Sequence, residues 1–445
     1  MKIVALNGLL GYGYSEQALR KVFEEKVDYL GVDAGSTDPG PYYLGSGNSF
    51  TDRTVVKRDL SLALSLAIEN QTPFIIGTAG GAGSRVHVEW LKEIILELAK
   101  ERNLSFKMGF IYSDVSNDYM LAKLNEGKVL NLSDEFPLSG GQIEQSKRIV
   151  SQVGVSPIIN ILKQGVDIVL VGRCFDTAIY AAPCIMHGFP KGLAFHVAKI
   201  MECGAMCSEP TAAADVMQAY IHGDSFELEP ANPLRKCTVE RVAAHTMYEQ
   251  ANPYLIYESD GGVNVEHCTY EQVTPRRVRV RGSEFTETQQ KTLKIEGVKS
   301  LGFRTICLAG IMDDRTIKRI DDIFETVKGF LREQVASEEY SIRLRKYGGV
   351  PDLGIVLDVI AKTQELADSV CALARAKTLH CDYPENEITE KRKSTAGNLA
   401  MPFSPFDIHV GEVFEFSIFH LVAVDDLNET VKTEITVVKN EKIID

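Results

Sequence analysis

Val27-Asp-Tyr-Leu-Gly-Val32 runs directly into Asp33-Ala-Gly-Ser-Thr-Asp-Pro-Gly-Pro-Tyr-Tyr43. The first run is apolar and strand-like, and the second fits neither helix nor strand. Pro39 and Pro41 lack a backbone donor and fix φ near −65°. Gly35 and Gly40 permit positive φ or close backbone approach. Together they predict a shaped loop at the C-terminal end of a buried strand, the edge where open α/β sheets bind ligands. Asp33, Asp38, Ser36, Thr37 and two tyrosines make this loop densely polar. An Asx-turn loop satisfied by its own hydrogen bonds is the plainer reading.

The same grammar recurs on both sides of this stretch. Residues 2–7 read as a buried strand, followed by the Gly-rich turn Gly8–Tyr14 and a helix over Glu16–Glu25 capped by Ser15. The glycine spacing there is not G-x-G-x-x-G, so a dinucleotide site is matched only loosely. After a helix over Thr54–Glu69, the strand Pro73-Phe-Ile-Ile-Gly77 enters Thr78-Ala-Gly-Gly-Ala-Gly-Ser84, and Val86–Leu98 is helical. Glycines leading to a helix start favour an anion, because free N–H groups point at it. Thr78, Gly80, Gly81, Gly83, Arg85 and His87 are therefore candidate binding residues, although the glycines could serve packing alone. The Walker lysine is missing, so this is not a P-loop NTPase. Phe106–Tyr112 ends in Ser113-Asp-Val-Ser116, and Val166–Val171 ends in Gly172-Arg-Cys-Phe-Asp-Thr177. Five apolar strands alternating with helices predict a doubly wound, mostly parallel sheet. Their ends bring Asp33, Asp38, Thr78, Asp114, Arg173 and Asp176 to one edge.

The region 142–165 reads as a helix broken at Pro157, and 191–206 as an amphipathic helix with Glu202 near its end. Residues 223–233 read as irregular, acidic and proline-containing. Tyr257–Asn264 is a polar insert with two carboxylates. Val273–Gly282 reads as one strand with a basic face of Arg276, Arg277, Arg279 and Arg281, best explained by solvent. A boundary near 282–290 divides an α/β domain, 1–285, from a smaller α+β domain, 286–445. In the latter, strands at 303–309, 340–344, 353–359 and 413–424 mix with helices at 316–335 and 363–378. The long loop 394–407 is apolar enough to be ordered, and Ser394, Thr395 and Asn398 could touch a polar ligand in the cleft.

The formal net charge of −13 over 445 residues argues against a nucleic-acid surface. No apolar run reaches the roughly 18 residues that span a bilayer. The N-terminus enters a strand with no room for a signal peptide. Nine scattered cysteines fit reduced thiols, and a cytoplasmic setting is the expectation.

Three stretches, Asp33–Tyr43, Gly172-Arg-Cys-Phe-Asp-Thr-Ala178 and Ser394-Thr-Ala-Gly-Asn-Leu-Ala-Met-Pro-Phe-Ser-Pro405, resemble the acyclic terpene utilisation family, AtuA-like. The family takes its name from a bacterial route that degrades terpenes such as citronellol through CoA thioesters. The resemblance implies a catabolic protein and names no reaction. On the residues themselves, Asp33, Asp38, Asp114 and Asp176 are candidates for acid–base work, with His87 as the neutral-pH alternative. A hydratase, lyase or isomerase acting on a small carboxylate or acyl-CoA suits that set. No motif requires a cofactor, although the carboxylates could instead hold a divalent metal. The expected partner is that small molecule, with neither nucleic acid nor membrane. A homo-oligomer or a small partner subunit stays open. The alternative is a non-catalytic binding or assembly subunit of a multi-component enzyme.

Overall fold

The computed structural model describes residues 1–132, 137–249, 251–381, 399–439 and 442–444. The chain forms two compact units, Met1–Lys299 with Phe416–Asp445, and Ser300–Glu415. The single cut read from the sequence lies near residue 285.

The first unit is organised by five parallel strands: β1 (Lys2–Asn7), β2 (Tyr29–Asp33), β3 (Phe74–Gly77), β4 (Phe106–Tyr112) and β5 (Ile168–Val171). They lie in the order β1-β2-β3-β5-β4. Each is nearly all buried because both faces are covered, hence the unbroken apolar runs. The helices are α1 (Glu16–Val22), α2 (Arg53–Glu69), α3 (Arg85–Arg102), α4 (Val155–Leu162), α5 (Ala178–Met186) and α6 (Lys191–Glu202). The chain lays down β1, β2, β3 and β4 in one direction, so right-handed crossovers put α1, α2 and α3 on one face. There Leu19, Leu60, Leu64, Leu91 and Ile95 meet Val4, Leu30 and Phe74. The step back from β4 to β5 reverses direction. Accordingly α4, α5 and α6 cover the other face, with Ile161, Ile179, Phe195 and Val197 against Ala5, Ile75 and Val169.

The sheet is mixed α/β and larger than the sequence shows. Antiparallel strands β6 (Asp215–Ile221), β7 (Ser225–Pro230), β8 (Thr269–Thr274) and β9 (Arg277–Arg281) extend it beyond β1, and Lys432–Lys439 and Lys442–Ile444 extend it beyond β4. Residues 223–233 are thus largely strand. Val273–Gly282 contributes one arm of a hairpin, and Arg276, Arg277 and Arg279 pair with Glu229 and Glu227. The helix expected over 142–165 is interrupted by a strand, Arg148–Ser151, that pairs with Ile295–Val298. β-branched Ile149 and Val150 favour a strand there.

The second unit runs β-α-β-β-α-β, its first and last strands continuing into the first unit: β10 (Lys291–Ile311), α7 (Ile320–Gln334), β11 (Tyr340–Gly349), β12 (Asp352–Ala361), α8 (Gln364–Leu379) and β13 (Asp407–Val424). Strand order β11-β12-β10-β13 is that of a split β-α-β unit. Alternate residues Leu353, Ile355, Leu357 and Val359 meet Phe324, Val327, Val370 and Ala374 of the two helices. Leu399-Ala400 pairs with Gly310-Ile311, and Leu399 and Met401 pack on this core. Ser394, Thr395 and Asn398 lie outside the described residues.

Candidate active site

β3 and β5 are neighbours, yet the chain leaves β3 for α3 on one face and β5 for α5 on the other. The crevice beyond such a pair of strand ends is where doubly wound sheets take ligands. Four loops are stitched together there. Ala34 N–H donates to the Gly77 carbonyl at 3.0 Å, Ala79 N–H to Val171 at 2.9 Å and Arg173 N–H to Gly83 at 3.0 Å. Ser113 Oγ accepts from Arg173 N–H at 2.8 Å. Close approach demands glycine. A Cβ on Gly35 would lie 2.5 Å from Gly81 Cα, and one on Gly83 would lie 2.2 Å from Arg173 N. Buried Thr78 is held at φ +42°, an uncommon conformation for a β-branched residue. Its Oγ1 accepts from Cys174 N–H at 3.4 Å.

The glycine-rich loop contributes packing, and its helix start is already occupied. Asp114 accepts from Arg85 N–H with both oxygens, at 3.0 and 2.9 Å. The anion at this helix start is therefore the protein's own carboxylate. The first Gly-rich turn is filled in the same way, since Gly11 and Gly13 N–H donate to Asp59 Oδ2 at 2.9 and 3.0 Å. The Arg85 guanidinium stacks 3.7 Å above the Tyr112 ring. His87 is buried, with Nδ1 2.7 Å from Ser84 Oγ and Nε2 3.1 Å from the Asn48 carbonyl. Burial lowers its pKa to about 4, so it is a neutral strut at pH 7. Gly80 packs against His87 and Gly81 against Phe50. In the Asp33–Tyr43 loop, Ser36 Oγ donates to exposed Asp38 at 2.8 Å, and Thr37 is buried.

The other strand ends hold buried ionisable groups. Asp33, 8% exposed, accepts one weak bond, 3.3 Å from Gly35 N–H. Burial raises its pKa well above the carboxylate range, and the charge of Asp176 adds to this. Burial raises Asp176 too, but Arg173 and Lys199 oppose it. Asp176 sits at the mouth, its side chain 36% exposed and 3.6 Å from the Arg173 guanidinium. Arg173 is itself buried and bound to Glu296 at 2.8 Å. Burial works against both charges of that pair, and each holds the other ionised. Glu296 also meets Lys294 at 3.2 Å.

Sequence reading left several members of this cluster unassigned. Lys199 and Glu202 pair on α6, which apart from His196 is otherwise apolar and buried from Gly192 onward. Burial pushes Glu202 up to about 7, against the pull of Lys199. Thr177 Oγ1 donates to Glu258 at 2.8 Å. Glu258 is half-buried in the polar insert, and enclosure there pushes it up to about 8. Two charges on an apolar helix were the available signal for Lys199 and Glu202. Glu296 had none, because its burial comes from distant strands. Among the described residues no three or more His, Cys, Asp or Glu side chains are grouped to hold a metal ion.

The model of the acyclic terpene utilisation family protein AtuA matches residues 52–380. The chain belongs to this family. The match spans the glycine-rich loop, Arg173–Asp176, α6, Glu258 and Glu296, while the Asp33–Tyr43 loop precedes it and Ser394–Pro405 follows it. The family is implicated in acyclic terpene utilisation, a catabolic role. No curated protein and no solved structure matches the chain. Among the described residues of this family member, no helix is long and apolar enough to cross a membrane.

Proposed function

We propose that this family member is an enzyme that moves protons on a small carboxylic acid derivative by hydratase, lyase or isomerase chemistry. The observation that carries the reading is the pair Asp33 and Asp176 at the β3/β5 crevice, two carboxyls whose surroundings separate their proton affinities. Asp176 has Arg173 and Lys199 to favour its ionised form and is half-exposed, with Oδ1 buried and the rest of the carboxylate at the surface, so it is assigned the base. Asp33 is enclosed, and burial favours its protonated form, so it is assigned as the acid or a hydrogen-bond donor to a carbonyl, a role that buried neutral carboxyls fill. Arg173 and Lys199 are each paired with a carboxylate. A thioester carbonyl therefore suits the crevice better than a free carboxylate, and an acyl-CoA is the preferred substrate class. Glu258 stands by as a second proton reservoir, and the Thr78 loop fixes the floor.

Deuterium uptake next to the carbonyl of short branched acyl-CoA thioesters, followed by NMR in heavy water, tests this. Wild type should exchange, and Asp33→Asn should slow exchange by roughly 10²–10⁴-fold while melting at the same temperature. Undiminished exchange in a folded Asp33→Asn protein sinks the assignment.

A further inference from the structure

β11 is the outer strand of the second unit's sheet. Over Tyr340–Gly349 it pairs residue for residue with β12, its one strand neighbour among the described residues. The other edge carries a row of backbone N–H and C=O groups that can template one more strand. Proteins blunt such edges with short strands, prolines, bulges or charges. β11 runs for ten residues, without a proline and without a bulge in its register. Its charges are Arg343, Arg345 and Lys346, all of one sign.

The two faces beside that edge differ. Tyr340, Ile342 and Leu344 turn toward the helices and pack on the core. Strand alternation sends Arg343 and Arg345 to the opposite face. Both are exposed and, among the described residues, neither has a carboxylate partner. Lys346, on the helix side again, pairs with Asp321 of α7 at 2.6 Å. On the helix side a cavity of about 540 Å³ lies between the end of α7 and the start of β11. Leu331 and Arg332 of α7, Val335 and Glu338 beyond it, and Tyr340 and Ile342 of β11 line it. Guarding an edge accounts for the arginines and leaves this largely apolar hollow without a reason.

An added strand would alternate as β11 does. One set of its side chains would reach the cavity, and the set between would lie beside Arg343 and Arg345. The cavity takes apolar groups, and the two cations, in a chain of net charge −13, select carboxylates. A second copy of β11 is a poor occupant. In an antiparallel pair across a two-fold axis the arginines would face each other, and like charges directly opposite destabilise a sheet. We infer that the β11 edge docks a segment of another protein, added as a strand with apolar residues on one face and Asp or Glu on the other. Main-chain bonds supply affinity in that mode, and alternate side chains supply specificity.

Fluorescence anisotropy of the full chain with a labelled octapeptide of alternating valine and glutamate tests this. Proline in place of valine keeps the charge and removes the strand. Lysine in place of glutamate keeps the strand and inverts the charge. Each altered peptide should bind about tenfold more weakly. Arg343→Ser combined with Arg345→Ser should weaken the valine–glutamate peptide about tenfold and, since both side chains are exposed, melt with wild type. Hydrogen exchange of wild type should slow within 340–349 when that peptide is added. No binding, equal binding of either altered peptide, indifference to the double substitution, or protection that avoids 340–349 would overturn the docking site. So would a ligand-free dimer that the valine–glutamate peptide dissociates, because the edge would then belong to a second copy.

Discussion

Two loops leave neighbouring strands and meet opposite fates. The Thr78–Ser84 loop beyond β3 has its helix-start N–H taken by Asp114, its histidine bonded on both ring nitrogens, and its glycines pressed against Phe50, His87 and Arg173. The Arg173–Thr177 loop beyond β5, with Asp33 opposite, gathers carboxyls that burial drives away from their ordinary pKa values. One loop is closed chemically and the other is poised. A glycine-rich turn before a helix signals close packing as readily as an anion site. A carboxyl enclosed with few hydrogen-bond donors is the stronger mark of chemistry.

The largest effect should come from the ion pair that anchors the Arg173–Thr177 loop. Glu296→Ala leaves Arg173 buried without its main counter-charge and should destabilise the protein by roughly 3–5 kcal/mol, read from urea unfolding. A loss below about 1 kcal/mol would mean that water reaches the pair. Next is the closed loop itself. Gly83→Ala places a Cβ against Arg173 N at φ +69°, and left-handed strain plus overpacking should cost about 3 kcal/mol. Full stability in that variant would remove the close approach that distinguishes this loop.

The smallest effect belongs to the poised side and depends on pH. Burial holds the Glu258 carboxyl up at about 8, against an ordinary glutamate value of 4.5. Between those values the folded protein holds a proton that the unfolded chain has released, so stability falls as pH rises. Glu258→Gln mimics the neutral form and removes the loss. Its melting temperature should gain on wild type by a few degrees between pH 5 and 8.5, and parallel curves would show an ordinary, solvated carboxyl.

How much the sequence disclosed follows the same divide. The five core strands were readable because burial on two faces makes runs such as Phe-Ile-Ile-Gly77 and Ile168-Val-Leu-Val apolar throughout. β6, β7 and Lys432–Lys439 were not, since they carry polar residues such as Gln218, Glu227 and Thr436 that only the assembled sheet buries. Arg148–Ser151 disappeared into a helical pattern because its partner lies far along the chain. In the site, the loop residues Asp33, Arg173 and Asp176 stood out by position. Glu202 and Glu296 come from helix and strand interiors, where a polar residue is conspicuous only once its surroundings are known.

The central claim is that Asp33 is a neutral acid in the resting protein. Infrared difference spectra between wild type and Asp33→Asn at pH 7 test it without a substrate. Wild type should show a protonated-carboxyl C=O band that the variant lacks and that gives way to carboxylate bands only well above the usual carboxylate range. Loss of carboxylate bands at pH 7 in place of that band would contradict it.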